Sequence, residues 1–367
     1  MLQKILSMLV LVTILVFGFW SVQTSVAPIQ NEYKEAVATT TPTLRPNTSE
    51  VGAPTTSVGA TKSKPVVITK QIEIPEIITI PTIEPAPDFE KINAYTRLAT
   101  VNILCQTKAS DFSPISGTGM IISQDGLILT NAHVAQYFLL RDLYVKNFIE
   151  CVIRTGSPAY PKYHAELVYI SPAWVEDNKA EIKLQNPLGT GEKDFAFLRI
   201  TDAIDGSRLP AFSFVSTDVR EKINVNEPVV LVSYPAGFLG GLSIIQNLNI
   251  TSAVTTIQDV FTFKENTIDV IAVGGTVVSQ KGASGGAVID KNSKLLGIIA
   301  TSSDGAVTSS RGLNAITLAY INRTLQSETG FTLSEFLSKD LAGYAKTFQE
   351  NIAPGLTKIL TDEIIKQ

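Results

Sequence analysis

Histidine and cysteine are the scarcest reactive side chains in this 367-residue chain, with two of each. The histidines are His133 and His164, so any chemistry that needs an imidazole base has to use one of them. The cysteines are Cys105 and Cys151, and neither lies in a glycine-rich exposed turn, which argues against a thiol nucleophile. Charge is sparse as well. Only 17% of residues are charged and the net charge is −4, which removes the electrostatic case for nucleic-acid binding. No set of side chains suggests a resident metal or cofactor, and neither is expected.

The first feature present is an apolar run. Ile5 to Trp20 is almost uninterrupted behind a single Lys4, and about 17 apolar residues can just span a bilayer. No convincing small-x-small cleavage site follows, because Ser25-Val26-Ala27 runs straight into Pro28. Residues 1–27 are therefore expected to be an uncleaved signal anchor, with a cleaved signal peptide as the alternative. Either places the rest of the chain outside the cytoplasm. Residues 28–87 are rich in Thr, Pro and Ser and poor in aromatics, a composition that cannot bury enough surface to offset ordering entropy, so a disordered spacer is expected. Ile72 to Ile80 alternates like an edge strand or docking segment, although its proline weakens that reading.

The folded domain is expected over 88–330. Glu90 to Leu98 has helical character, and Ala99 to Gln106 reads as a strand with Val101, Ile103 and Cys105 on one face. Short strand-like runs follow at 119–123, 127–130, 149–154, 165–170, 195–200, 229–233, 248–254, 270–273, 286–289 and 295–300. Many short strands separated by Gly and Pro turns imply a sandwich or a barrel. Residues 331–367 turn helical. Thr332 and Glu335 offer a capping box, and Leu337, Leu341, Tyr344 and Phe348 form an apolar stripe suited to packing on the barrel. Ala353-Pro354-Gly355 is expected to break that helix before a second one over 356–365.

Two motifs carry the chemistry. Gly282-Ala283-Ser284-Gly285-Gly286 can place a hydroxyl on a tight turn with no Cβ to obstruct a substrate, and the amides of Gly282 and Ser284 can aim at one point. Upstream, Gly117-Thr118-Gly119 leads through an Asp125-Gly126 turn to Thr130-Asn131-Ala132-His133-Val134. Between them Asp194 stands at the mouth of the apolar run Phe195 to Ile200.

Together these stretches resemble the trypsin-like (chymotrypsin-fold) serine endopeptidases, most of all the HtrA-like branch. The resemblance implies an all-β fold, a double six-stranded antiparallel β-barrel with the site in the cleft between barrels. It also implies that His133, Asp194 and Ser284 form a catalytic triad, that the Gly282 and Ser284 amides form the oxyanion hole, and that the partners are protein or peptide substrates. The order His, Asp, Ser is that of the chymotrypsin type. Gly282-x-Ser284-x-Gly286 also fits the nucleophile elbow of α/β-hydrolases, but no histidine follows Ser284, so that fold would have no base. His164 is then a surface residue. By the same resemblance Val278, six before the serine, lies at the base of the primary pocket and suggests small or medium apolar substrate residues, while Ala300, Thr301 and Ser302 form the strand on which substrate backbone pairs. Cys105 and Cys151 sit at core-facing strand positions, and an extracytoplasmic location would let them pair; two buried free thiols are the alternative. The resemblance falters at the end of the chain, where forty residues cannot contain the PDZ domain usual in the HtrA branch. A catalytically inactive, anchored peptide-binding module of the same fold is the competing functional reading, and no oligomeric state is assigned.

Overall fold

The computed structural model describes residues 86–366 apart from 108–114, 185–188, 238, 265 and 303–311. The apolar run at Ile5 to Trp20, the spacer, and the alternating stretch at Ile72 to Ile80 lie outside the described residues. Among the described residues no helix is long and apolar enough to cross a membrane.

Asp88 starts the fold by accepting a hydrogen bond from the Lys91 amide at 2.9 Å, which satisfies one of the orphan donors of helix α1 (Phe89–Ala99). The chain then enters six strands: β1 (Thr100–Thr107), β2 (Ile115–Ile121), β3 (Leu127–Thr130), β4 (Ile149–Thr155), β5 (Tyr160–Ile170) and β6 (Ala196–Ala203). They close in the order β1-β2-β3-β6-β5-β4, every pair antiparallel. Closure leaves no free edge, so each backbone group has a neighbour to bond. Val101, Ile103, Ile121 and Ile128 share one face of these strands, and each is at most 2% exposed. Cys105 and Cys151 face each other directly across β1 and β4 and are joined by a disulfide.

The second half holds β7 (Ser216–Thr217), β8 (Pro228–Ser233), β9 (Thr251–Thr256), β10 (Asp259–Phe261), β11 (Val270–Ala272), β12 (Ala287–Ile289), β13 (Lys294–Ser302) and β14 (Leu313–Thr317). These eight strands curl into a second barrel in the order β10-β11-β14-β13-β12-β8-β9, with β7 against β13. The fold is thus the expected chymotrypsin-like pair of barrels. Its second barrel has eight strands where six were expected, and one of them, β7, pairs with β13 in parallel. A separate core of Val229, Leu231, Ile271, Val288, Leu296 and Ile299 sits inside it.

Helices complete the molecule. α2 (Ala132–Ala135) follows β3, α3 (Pro172–Asn178) and a 3₁₀ helix (Lys179–Lys183) follow β5, and α4 (Gly241–Gln246) lies between β8 and β9. After β14 come α5 (Leu318–Thr329), α6 (Leu333–Leu337), α7 (Leu341–Asn351) and α8 (Ala353–Ile365). Thr332 and Glu335 do form the capping box of α6. The stripe from Leu337 to Phe348 is nevertheless split between α6 and α7, because Asp340 caps a new helix through the Gly343 amide. The expected break at Ala353-Pro354-Gly355 is instead the first turn of α8, where a missing amide hydrogen costs a helix nothing. Both helices pack on the first barrel. Phe336 meets Tyr169 edge to face and Phe348 packs tilted against it, Gln349 donates to the Leu167 carbonyl at 2.8 Å, and Thr357 donates to the Leu139 carbonyl at 2.9 Å.

Candidate active site

The end of β3 places the imidazole. Asn131 leaves the strand in extended conformation and starts α2, and its side-chain amide donates to the Asp194 carbonyl at 2.8 Å. That bond ties the β3 corner to the residue that leads into β6. Lys193 adopts φ 57° just before it, and its amide donates to the Tyr320 hydroxyl at 3.0 Å. The Asp194 carboxylate is thereby turned inward, with a side chain only 6% exposed. One of its oxygens accepts from the His133 backbone amide at 2.9 Å and the other meets His133 Nδ1 at 2.7 Å. A carboxylate can only accept, so Nδ1 carries the proton and Nε2 is left as the basic nitrogen. Burial lowers the His133 pKa, but the charge of Asp194 and its hydrogen bond, with a smaller push from Glu181, outweigh burial and raise it above the ordinary value.

The seryl loop is built by close approach. Gly282 has φ 90°, and a Cβ there would lie 2.7 Å from the Tyr234 carbonyl oxygen. Gly285 has φ 82°, and its Cβ would meet the Thr118 carbonyl oxygen at 2.0 Å and Thr130 Oγ1 at 2.5 Å. No L side chain fits either position. Within the loop the amides of Ala283, Gly285 and Gly286 are engaged, donating to Gln280, Ile299 and Ala283 carbonyls respectively. Those of Gly282 and Ser284 donate to no acceptor among the described residues. Two unengaged amides flanking one residue are what a developing oxyanion needs.

Thr118, on β2 of the first barrel, grips this loop of the second. Its amide donates to the Ser284 carbonyl at 2.8 Å and its hydroxyl donates to the Gly282 carbonyl at 2.7 Å. The same hydroxyl accepts from the Tyr234 amide at 3.0 Å, while the Thr118 carbonyl accepts from the Thr130 hydroxyl at 2.7 Å. Thr130 lies three positions before His133, so the serine and histidine corners share one brace. His133 and Asp194 are joined directly. Ser284 belongs to the same corner through Thr118 and Thr130 rather than through a hydrogen bond to the imidazole.

The other residues singled out from sequence fall as follows. Val278 has no exposed surface and belongs to the second core together with Ala283 and Val273. Ala300 is 8% exposed and lies where the β13–β14 register shifts between Ile299 and Thr301. Thr301 and Ser302 pair through backbone with Asn314 and Leu313, and β12 reaches β13 only as far as Ile298, which leaves the other edge beyond Ile299 without a strand among the described residues. His164 is on the surface, paired with exposed Asp202 at 2.6 Å. Thr118, Thr130 and Asn131 stand inside the quoted motifs, yet their bracing roles have no signature in sequence. Glu181 has none either.

With this geometry in hand, residues 117–298 match the family model described as trypsin-like peptidase domain. No curated protein matches the chain by sequence. Among solved structures it is similar to the inactive form of a serine-to-alanine mutant of Rv3671c from M. tuberculosis H37Rv, at 19% identity and a TM-score of 0.40 over 67% of this chain and 96% of that one. The likeness to trypsin-like peptidases thus runs from β2 to β13 and takes in His133, Asp194 and Ser284 together.

Proposed function

We propose that this protein is a serine endopeptidase in which Ser284 attacks the peptide carbonyl, His133 takes its proton, and Asp194 holds the imidazole. The observation that carries the reading is the Asp194 carboxylate bound to both the amide and Nδ1 of His133, which leaves Nε2 as the base. A serine hydroxyl is a poor nucleophile at neutral pH and needs such a base. The proton then passes from Nε2 to the leaving amine as an acyl-enzyme forms on Ser284, and water repeats the cycle. The free amides of Gly282 and Ser284 would receive the oxyanion. In structures without substrate, catalytic hydrogen bonds are often long and tighten only in the Michaelis complex, so the missing bond from Ser284 to the imidazole is compatible with this role.

Within the family, Thr130-Asn131-Ala132-His133-Val134 supports the HtrA-like branch. The half-open β13 edge beyond Ile299 supports substrate pairing along Ala300 to Ser302. An uncharged residue at Val278 supports small or medium apolar side chains in the primary pocket. The apolar run at Ile5 to Trp20 supports an extracytoplasmic, membrane-anchored protein.

The test is a fluorophosphonate probe on folded protein, followed by peptide hydrolysis. Wild type should label at Ser284, and Ser284→Ala should lose labelling and on the order of 10⁴-fold or more in turnover. A folded wild type that neither labels nor hydrolyses peptides would make the chain a binding module instead.

A further inference from the structure

The short turn from Gly191 to Asp194 decides where the Asp194 carboxylate goes. It is closed by the Asp194 amide, which donates to the Gly191 carbonyl at 3.2 Å, and the Phe195 amide then donates to the Lys193 carbonyl at 2.8 Å. Two of its residues have positive φ, 86° at Gly191 and 57° at Lys193. Glycine adopts such a value freely, whereas lysine does so against its own Cβ and has to be held there from outside the turn. The holding contact is the bond from the Lys193 amide to the Tyr320 hydroxyl at 3.0 Å, which spans 127 positions of sequence.

Tyr320 is itself fixed by the second half of the chain. It stands in the first turn of α5, where its amide donates to the side chain of the N-cap Thr317 at 3.0 Å. The Thr317 hydroxyl donates to the Ile268 carbonyl at 3.0 Å and the Thr317 amide to the Asp269 carbonyl at 2.9 Å. The Phe263 ring lies 5.0 Å from the Tyr320 ring, and the Phe263 amide donates to the Asp269 carboxylate at 2.6 Å. Tyr320 is only 7% exposed, and burial pushes its phenol up to about 12, so the hydroxyl stays neutral through the neutral pH range and can accept the amide. On the other side of the turn, the first barrel fixes Asp194 through the Asn131 side chain and the fully buried Phe195. The carboxylate thus hangs between two anchors, one from each half of the chain.

We propose that Tyr320 is a positioning residue for Asp194: its hydroxyl holds Lys193 at positive φ and so keeps the carboxylate aligned on the amide and Nδ1 of His133. This rests on the endopeptidase reading. Tyr320 acts through the turn and not on the reacting atoms.

The experiment compares full-length wild type, Y320F and E328A. Y320F keeps the ring and removes the acceptor. E328A cuts a different tether of α5, the bonds that the Glu328 carboxylate accepts from the Tyr169 hydroxyl and, at 2.9 Å, from the Ser171 hydroxyl. Thermal melts establish that each protein is folded, kcat and KM are measured separately on one fluorogenic peptide, and the low-field proton NMR resonance of the Nδ1–H of His133 reads its bond to Asp194 directly. Y320F should lose roughly 10- to 100-fold in kcat with KM within about twofold, the size expected when a catalytic group is slightly misplaced, and its low-field resonance should move or broaden. E328A should melt lower than wild type yet keep the wild-type resonance and a kcat within about twofold. A folded Y320F with the kcat of wild type, or with an unshifted resonance, would overturn the proposal. So would an E328A that reproduces the losses of Y320F, since any loosening of α5 would then suffice. A folded wild type that neither hydrolyses peptides nor labels with a fluorophosphonate would remove the endopeptidase reading, and the resonance in Y320F would still decide whether Tyr320 sets the Asp194–His133 pair.

Discussion

Replacing Thr118 by valine is the sharpest probe of how the two barrels make one site. Valine keeps the shape but deletes a fully buried hydroxyl that donates to the Gly282 carbonyl at 2.7 Å and accepts from the Tyr234 amide at 3.0 Å. Each buried group left without a partner costs about 1–3 kcal/mol, so the pair should cost about 3 kcal/mol or somewhat more. For a folded unit of this size that is a fall in Tm of roughly 6–12 °C. The effect on turnover should be larger than stability alone implies. The carbonyl released by the substitution belongs to Gly282, whose amide is half of the proposed oxyanion hole, and losing one such donor outright costs roughly 10²–10³ in kcat. A loosened donor should cost about 10- to 100-fold, with KM little changed, because the interaction is made only in the transition state. Thermal melts and separate measurement of kcat and KM on a peptide substrate decide the matter, with Thr118→Ser as the variant that keeps the hydroxyl. A valine variant whose Tm and kcat both stay within twofold or a few degrees of wild type would show that Thr118 does not hold the seryl loop.

Two further expectations follow from the same site and from the first barrel. Because the His133 pKa is raised above 6.5 by Asp194 despite burial, the neutral base disappears as pH falls through that raised value; the acid limb of kcat/KM should therefore lie above 6.5, and Asp194→Asn should move it downward while lowering kcat about 10⁴-fold. Replacing both Cys105 and Cys151 with alanine removes a bridge over a sequence separation of 46, worth about 4 kcal/mol in the chain-entropy model, so the urea midpoint should drop sharply, whereas an unchanged midpoint would mean the native protein gains nothing from the bond.

What could be read from sequence was whatever a local pattern encodes. The Asp125-Gly126 turn was legible because only a residue tolerant of positive φ serves there, and Gly126 does have φ 81°. His133, Asp194 and Ser284 stood out because imidazoles are so scarce and because their order excludes other folds. The strands β7 and β10 were not legible, since two or three residues show no period. The boundary of α8 was missed because proline terminates a helix in mid-course but is welcome in its first turn. Val278 was chosen by counting back from Ser284, and counting gives its place in the chain but not its burial, which is complete. The role of Thr118 was invisible for a deeper reason, since it acts on a residue 164 positions away.

The placement of the last helices has a bearing on synthesis. Strands β1 to β6 leave the ribosome long before Phe336 and Phe348, the rings that cover Tyr169, and before Thr357, which satisfies the Leu139 carbonyl. A nascent chain thus carries an aromatic face on its first barrel that stays bare until Phe336 and Phe348 have been made, a surface suited to a chaperone and awkward for a neighbour on the same polysome.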